Sequence, residues 1–251
     1  MRWLRIDDSA LKQLIKNDEF AFRSNLDRKT LDLVFDKRTL EALKYVFSRY
    51  SIDYLDFPIS SGKESVVFRA VSGRKFVAVK IFKMSTLKFM NIRKYIEGDQ
   101  RFAKIRIDRN DIIPVWVRKE YTNLMALENA GVPAPKPIGF FKNILVMSYI
   151  GTKSGPAPQI RDIEINDVIY EEVLDGMRRM YRNRIVHSDL SEYNMLYHRK
   201  VYFIDLAQAV DIDHPMASEF LERDIIKVSN FFSKHGIATS PESIEKYIKG
   251  K

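Results

Sequence analysis

With 251 residues, 45% hydrophobic and 12% aromatic, the chain can bury a proper core as one large domain or two small ones, which excludes disorder as the default state. The absence of cysteine excludes disulfides, thiolate metal sites and cysteine nucleophiles, and it fits a reducing compartment. Net charge is +9, and between Lys83 and Arg109 eight basic residues stand against three acidic ones, a local +5 that suits a nucleic-acid or ribonucleoprotein partner as well as it suits a solvated helix face.

The start, MRWLRIDDSALKQ, turns polar and acidic at once and lacks the apolar core of a signal peptide. No window approaches the apolar length needed to cross a bilayer, so a soluble cytoplasmic protein without a membrane partner is expected. Residues 1–50 read as helical: Leu40, Leu43, Val46, Phe47 and Tyr50 recur at three-four spacing, with Asp36 as a start signal. From Ile52 to Phe82 the period changes to short β-branched and aromatic runs, VVFRAV and KFVAVKIF, bounded by SSGK and SGR, which predicts a meander of strands. A basic, helical insert follows over about 83–110. Val115–Ala130 reads as a helix stopped by GVPAP, and Ile138–Ile150 as a hairpin turning at Lys142 and Asn143. TKSGPAP is an irregular connector. Residues 164–184 form an amphipathic helix through Ile165, Val168, Ile169, Val173, Met177 and Met180, and helices fill 215–248. Strands first and helices later, split near 151–158, predict two lobes with a cleft between them.

The stretch IVHSDLSEYNMLYHRKVYFID, residues 185–205, carries the chemistry. Transfer of a γ-phosphoryl group needs positioning and charge neutralisation more than covalent work. One carboxylate must orient the nucleophile's proton, another carboxylate and a neutral oxygen must hold a hard cation, and a lysine must touch the phosphates. His187-Ser188-Asp189-Leu190-Ser191-Glu192-Tyr193-Asn194 matches the pattern H-x-D-L-x-x-x-N, with Ser188 where protein kinases carry Arg. Eleven residues later Asp205 ends the strand VYFID, and a hairpin through His198, Arg199 and Lys200 would return it beside Asn194. A lone aspartate in a loop is far more often a cap or turn former, but four matching positions in order reverse that balance.

The lysine is Lys80 of VAVK. On the 115–130 helix, Val117, Glu120, Leu124 and Leu127 share one face, so Glu120 is a carboxylate in an apolar stripe that needs a partner, and Lys80 is the natural one. The bland alternative is a rim salt bridge of Glu120 with Lys119 or Lys246, and Glu97 is a second candidate for the lysine's partner. The phosphate loop would be Ser61, Gly62, Lys63, Glu64 and Ser65 in SSGKESVVF. It has one glycine where protein kinases have G-x-G-x-x-G, and it is not a Walker A loop because Glu64 follows the GK pair. Its backbone N–H groups and hydroxyls can still receive phosphate.

Together SSGKESVVF, VAVKIFK, the basic insert, KEYTNL, HSDLSEYNML and VYFIDLAQAVDIDHP resemble the RIO family of atypical protein kinases, in particular its Rio1 branch, over about residues 25–247. The Rio2 branch carries an N-terminal winged-helix domain for which the first 50 residues look too short, and the compact length resembles archaeal members. The resemblance implies an α+β, bilobal, protein-kinase-like fold: a helical extension over 1–50 packing on an N-terminal lobe, that lobe with its antiparallel sheet and helices over 51–147, and a reduced, mainly helical C-terminal lobe over 148–251. It implies Asp189 as the catalytic aspartate and Asn194 and Asp205 as metal ligands. Lys80 would bind the phosphates with Glu120 as its ion-pair partner, and the backbone of Ser148 and Ile150 would meet adenine. ATP and Mg²⁺ are then the expected cofactors, with Mn²⁺ suited to the same oxygens. The insert corresponds to the family's flexible loop, with Ser85 as the nearest candidate for autophosphorylation.

Asp205 is followed by Leu206-Ala207 and only 46 further residues, so an activation loop and a peptide-binding subdomain have no room. The resemblance accordingly implies ATP hydrolysis during small-ribosomal-subunit maturation alongside serine/threonine kinase activity, through an aspartyl-phosphate on Asp205, with the pre-ribosomal small subunit and its rRNA met by the basic insert. Two rivals stand beside it: a small-molecule kinase of the aminoglycoside or choline type, which shares H-x-D-x-x-x-x-N, and a nucleotide-gated ribosome-binding module without chemistry.

Overall fold

Asp36 starts the helix that follows it, as its side chain suggested. The computed structural model describes residues 34–83, 89–102 and 112–250, with the side chains of 89–91 outside the description. Helix α1 spans Lys37–Tyr50, and the Asp36 carboxylate accepts from the Thr39 N–H at 2.7 Å, satisfying one of the donors that a helix start leaves unpaired. Ser51 ends it in the left-handed conformation, φ 53°, returning its N–H to the Phe47 carbonyl. Leu40, Leu43 and Val46 are buried along it, with Phe47 and Tyr50 packed at the edge of the same core.

Strands β1 (Tyr54–Ser61), β2 (Ser65–Ser72), β3 (Lys75–Phe82), β4 (Pro137–Phe141) and β5 (Ile144–Ser148) form a five-stranded antiparallel sheet ordered β1-β2-β3-β5-β4. Val66, Phe68, Val79, Ile81, Ile144 and Val146 join the apolar face of α1 in one core. The close approach of α1 to β4 requires glycine at 139, where an added Cβ would lie 2.1 Å from the Tyr50 hydroxyl. Lys142 takes φ 50° in the β4–β5 turn, and buried Asn143 donates to Thr39 Oγ1 at 2.9 Å and to the Phe82 carbonyl at 3.0 Å.

Helix α2 (Phe89–Ile96) and a 3₁₀ turn (Gln100–Phe102) occupy the described part of the insert. Ser85 and residues 1–33 of the expected extension lie outside the described residues. Helix α3 spans Ile112–Asn129, starting three residues before the predicted Val115 because Pro114 sits in its first turn, where no N–H is needed. Helix α4 (Asp167–Arg182) is capped by the Asn166 side chain, which accepts from the Ile169 N–H at 3.1 Å. Its buried stripe is Ile169, Val173, Leu174, Gly176, Met177 and Met180. Val168, expected on that stripe, is 60% exposed, about 100° round the helix from Ile169. Two short antiparallel pairs follow, β6 (Ile185–Val186) with β9 (Val210–Asp211) and β7 (Met195–Tyr197) with β8 (Val201–Phe203). Helices α5 (Ala217–Lys234) and α6 (Pro241–Lys249) complete the description.

Within the described residues the chain divides into two compact units. One holds 34–83, 112–121 and 137–149, and the other 90–102, 122–136 and 150–250. The first is the sheet with α1, and the second is mainly helical, an α+β arrangement. No helix among the described residues is long and apolar enough to cross a membrane.

Candidate active site

In the sheet unit, Lys80 lies on β3 opposite Leu145 of β5, a central position with strands on both sides. Val117, Glu120, Leu124 and Leu127 of α3 are all buried, as their spacing requires. The Lys80 ammonium donates to both Glu120 carboxylate oxygens at 2.8 Å, with side chains 6% and 1% exposed. Desolvating two ions costs several kcal/mol each, and their attraction roughly offsets that, so the pair is poor as a stabiliser and useful as a fixed charge. Of the other partners considered, Lys119 is fully buried rather than at a rim, Lys246 is exposed on α6, and Glu97 pairs with Arg93, each about half exposed.

Gly62 to Glu64 form the turn joining β1 to β2. The Gly62 N–H is committed to the Ser65 carbonyl at 2.9 Å, so a phosphate there would meet Lys63, Glu64 and the hydroxyls of Ser61 and Ser65. Sequence reasoning missed Lys83: it is buried, its ammonium donates to the Gly62 carbonyl at 2.6 Å, and its N–H donates to the Glu64 carbonyl at 2.8 Å. Ser148 ends β5 opposite Val77. The Ile150 carbonyl accepts from the Ala157 N–H at 3.0 Å.

In the second unit the loop after β6 brings Asp189, Asn194 and the end of β8 together. The β7–β8 hairpin, with Arg199 at φ 64°, returns the chain so that the Ile204 N–H donates to the Asn194 carbonyl at 3.0 Å, one residue before Asp205. Asn194 Nδ2 donates to the Asp189 carbonyl at 2.8 Å and lies 3.5 Å from its Oδ2. Gln208 Nε2 also reaches Asp189 Oδ2, at 3.3 Å, and the Lys227 ammonium reaches Oδ1 at 2.9 Å. Buried His187 donates from Nε2 to the Ile204 carbonyl at 3.1 Å, and burial depresses its basicity, so the ring stays neutral and ties the loop to the strand that delivers Asp205.

Asp224 of α5 also escaped sequence reasoning. Its carboxylate accepts from the Ser188 and Leu190 N–H groups, both at 2.8 Å, and so grips the backbone on either side of Asp189 while Ser188 holds φ 70°. Burial pushes its pKa up to about 7 against the pull of those donors. The signal was present: Asp224 lies among buried Phe220, Leu221, Ile225 and Val228, the same pattern of a carboxylate in an apolar stripe that singled out Glu120.

The donors present fit a hard cation. With Nδ2 of Asn194 engaged, its Oδ1 is the end that would be offered to a metal, and Asp205 adds an exposed carboxylate that makes no capping bond to the turn after it. No group of three or more His, Cys, Asp or Glu able to hold a metal occurs among the described residues. One carboxylate and one amide oxygen suit an ion such as Mg²⁺, which is commonly completed by water and substrate phosphates rather than by an all-protein cage. In the insert, Arg93 and Arg101 are engaged by Glu97 and Asp99, Lys83 by the Gly62 carbonyl and Lys94 by the Tyr95 ring, so each of the four basic residues described there has a partner inside the fold.

A family model described as the RIO domain matches residues 66–245. The chain is 84% identical over 186 residues to the RIO-type serine/threonine-protein kinase Rio1 of Thermoplasma acidophilum, covering 74% of this chain and 100% of that protein. It is 40% identical over 239 residues to the Rio1 of Haloferax volcanii, covering 93% and 82% respectively. It is 37% identical over 250 residues to the human serine/threonine-protein kinase RIO1, covering 94% of this chain and 44% of that protein. Among solved structures, the Rio2 kinase of Chaetomium thermophilum in its ADP/Mg²⁺-phosphoaspartate complex superposes with a TM-score of 0.65 at 22% identity, covering 84% of this chain. The chain spans 65% of that Rio2 chain, and the likeness shows a shared kinase-like fold.

Proposed function

The chain belongs to the RIO family of atypical kinases, and from that premise we propose that it is a Rio1-type, Mg²⁺/ATP-dependent serine/threonine protein kinase that autophosphorylates, hydrolyses ATP and works in the cytoplasm on maturing small ribosomal subunits. The observation that carries the reading is the buried Lys80–Glu120 pair, a fixed cation held where its desolvation gains the fold little.

In this reading Lys80 binds the α/β-phosphates and Glu120 fixes its position. Ser148 and Ile150 meet adenine through their backbone, and Ser61, Gly62, Lys63, Glu64 and Ser65 cover the phosphates. Asp189 accepts the proton of the attacking hydroxyl, with Lys227 and Gln208 holding its carboxylate and Asp224 holding its backbone. Asn194 and Asp205 hold the metal, which when bound neutralises charge on the phosphates. Mn²⁺ suits the same oxygens.

Eleven residues, 206 to 216, separate Asp205 from α5, too few for an activation loop that would seat a peptide. That favours ATP hydrolysis through Asp205 itself. Its carboxylate oxygen attacks the γ-phosphorus, the bond from that phosphorus to the β–γ bridging oxygen breaks, and the electron pair leaves with ADP. Water then cleaves the acyl phosphate, restoring the carboxylate and releasing inorganic phosphate. The Rio2 crystal structure described as a phosphoaspartate complex supports this route by analogy. The ribosomal partner rests on the +5 of the insert, read as attraction to rRNA phosphate.

Incubation with γ-labelled ATP and Mg²⁺ followed by acid quenching tests the route. Wild type should carry acid-stable, hydroxylamine-labile label, and Asp205→Asn should carry none. Undiminished hydroxylamine-labile label in Asp205→Asn would refute it.

A further inference from the structure

Residues 99–101 of the insert are joined to the turn that carries Asp205 by a buried polar network, and we propose that Asn123 and Arg101 are positioning residues for that aspartate. Asn123 of α3 is completely buried. Its Nδ2 donates to the carbonyls of Leu206 at 2.7 Å and Ala209 at 2.9 Å, which bracket the 3₁₀ turn directly after Asp205. Its Oδ1 accepts from Arg101 Nη1 at 2.9 Å. Arg101 in turn grips Asp99 with two parallel bonds, Nε to Oδ1 at 2.9 Å and Nη2 to Oδ2 at 2.7 Å, and the Asp99 side chain is fully buried. Both amide protons of Asn123 and its oxygen are therefore in use.

Asp205 needs such support. Its φ and ψ of 62° are left-handed, a conformation that costs a residue with a Cβ and that aspartate tolerates better than most. Asn123 restrains the turn from its far side, through the Leu206 and Ala209 carbonyls. Residues 95–98 of the insert dock on residues 214–220. His214 Nε2 donates to the Glu97 carbonyl at 2.8 Å, the Tyr95 and Phe220 rings lie 5.2 Å apart, and a Cβ on Gly98 would meet Pro215 Cδ at 2.6 Å. Asp99 and Arg101 thus act as a strut from the insert to the turn, and Asn123 is its contact point.

The proposal rests on reading Asp205 as a metal ligand, and the test separates the two. Mn²⁺ affinity is measured by electron paramagnetic resonance in the presence of the β,γ-imido analogue of ATP, which does not turn over. Asn123→Asp keeps the size and the acceptor for Arg101 but faces the Leu206 and Ala209 carbonyls without a donor, and it should weaken Mn²⁺ binding about tenfold. Arg101→Lys keeps the charge against Asp99 while losing the fork, and it should weaken binding in the same direction by a smaller factor. Tyr170→Phe, which loses the 2.6 Å hydroxyl bond to Thr239 elsewhere in the same unit, should leave Mn²⁺ affinity unchanged. A folded Asn123→Asp with wild-type affinity overturns the proposal. Should that variant fail to fold, Arg101→Lys decides alone: weakened binding supports the strut, and wild-type binding overturns it. If Asp205→Asn itself binds Mn²⁺ as wild type does, the metal-ligand reading fails and the proposal with it. If only Asp205→Asn loses affinity, the reading stands and the strut does not.

Discussion

Glu120 and Asp224 send the same signal at the level of single residues: a carboxylate at helical spacing inside an apolar stripe must have a buried partner. For Glu120 the partner is a lysine, and for Asp224 it is two backbone N–H groups flanking Asp189. Lysine partners can be sought in a sequence, whereas backbone partners cannot, which is why one was legible and the other was not. Arg69 was illegible for a related reason. It is buried between the rings of Phe57 and Phe76, 4.2 and 4.3 Å from their centroids, and it pairs with Asp56, contacts set only once β1, β2 and β3 align. Glu120→Gln should lower thermal stability by about 3–5 kcal/mol, because it leaves the Lys80 ammonium buried without its counter-charge. The double variant Lys80→Met, Glu120→Leu should recover most of that stability but no ATP turnover. Calorimetry beside a turnover assay checks both, and a double variant as unstable as Glu120→Gln would contradict the assignment.

Helices and strands were the most legible level, because each carries its own period and its own stop signals. The α1 cap, the three-strand meander, the β4–β5 hairpin and the β7–β8 return all lie where side-chain chemistry asked for them. Departures occurred where a rule of thumb met a special position: Pro114 inside the first turn of α3, and Val168 one step off the stripe of α4. How elements pack was not legible, and two glycines show it. On an open helix face Gly176→Ala would be favoured by about 1 kcal/mol. Here the new Cβ would lie 2.3 Å from the fully buried ring of Phe203 on β8, so overpacking should win and destabilise the protein by about 1–3 kcal/mol. Gly139→Ala should do the same through the Tyr50 ring and shift the urea midpoint downward, and a variant at wild-type midpoint would contradict the packing of α1 on β4.

For the whole molecule, the division into a sheet unit and a helical unit follows from the order of the elements, but the attachment of residues 90–102 to the helical unit does not, since it is made by contacts more than a hundred positions apart, such as Glu97 with His214. Two buried groups should tilt overall stability in opposite directions with pH. Asp224, raised to about 7, keeps its proton when folded over a range in which unfolded aspartate has lost it, so its contribution is full below about pH 4 and is lost as the pH rises through 7. His187, lowered by burial, stays neutral when folded, so its contribution is full above about pH 6.5 and is lost as the pH falls below that value. Asp224→Asn should therefore flatten the fall in stability between about pH 4 and 7, read as unfolding free energy against pH, and an unchanged slope would contradict the burial argument.

If Asp189 performs phosphoryl-transfer chemistry on ATP, single-turnover hydrolysis of labelled ATP with Mg²⁺ depends on its carboxylate. Because the Asp189–Lys227 ion pair is largely solvated, Asp189→Ala should fold with a nearly unchanged thermal midpoint. It should lose about 10²–10⁴-fold in turnover rate and lose autophosphorylation with it. An Asp189→Ala protein that turns over ATP and labels itself at wild-type rates would contradict the account.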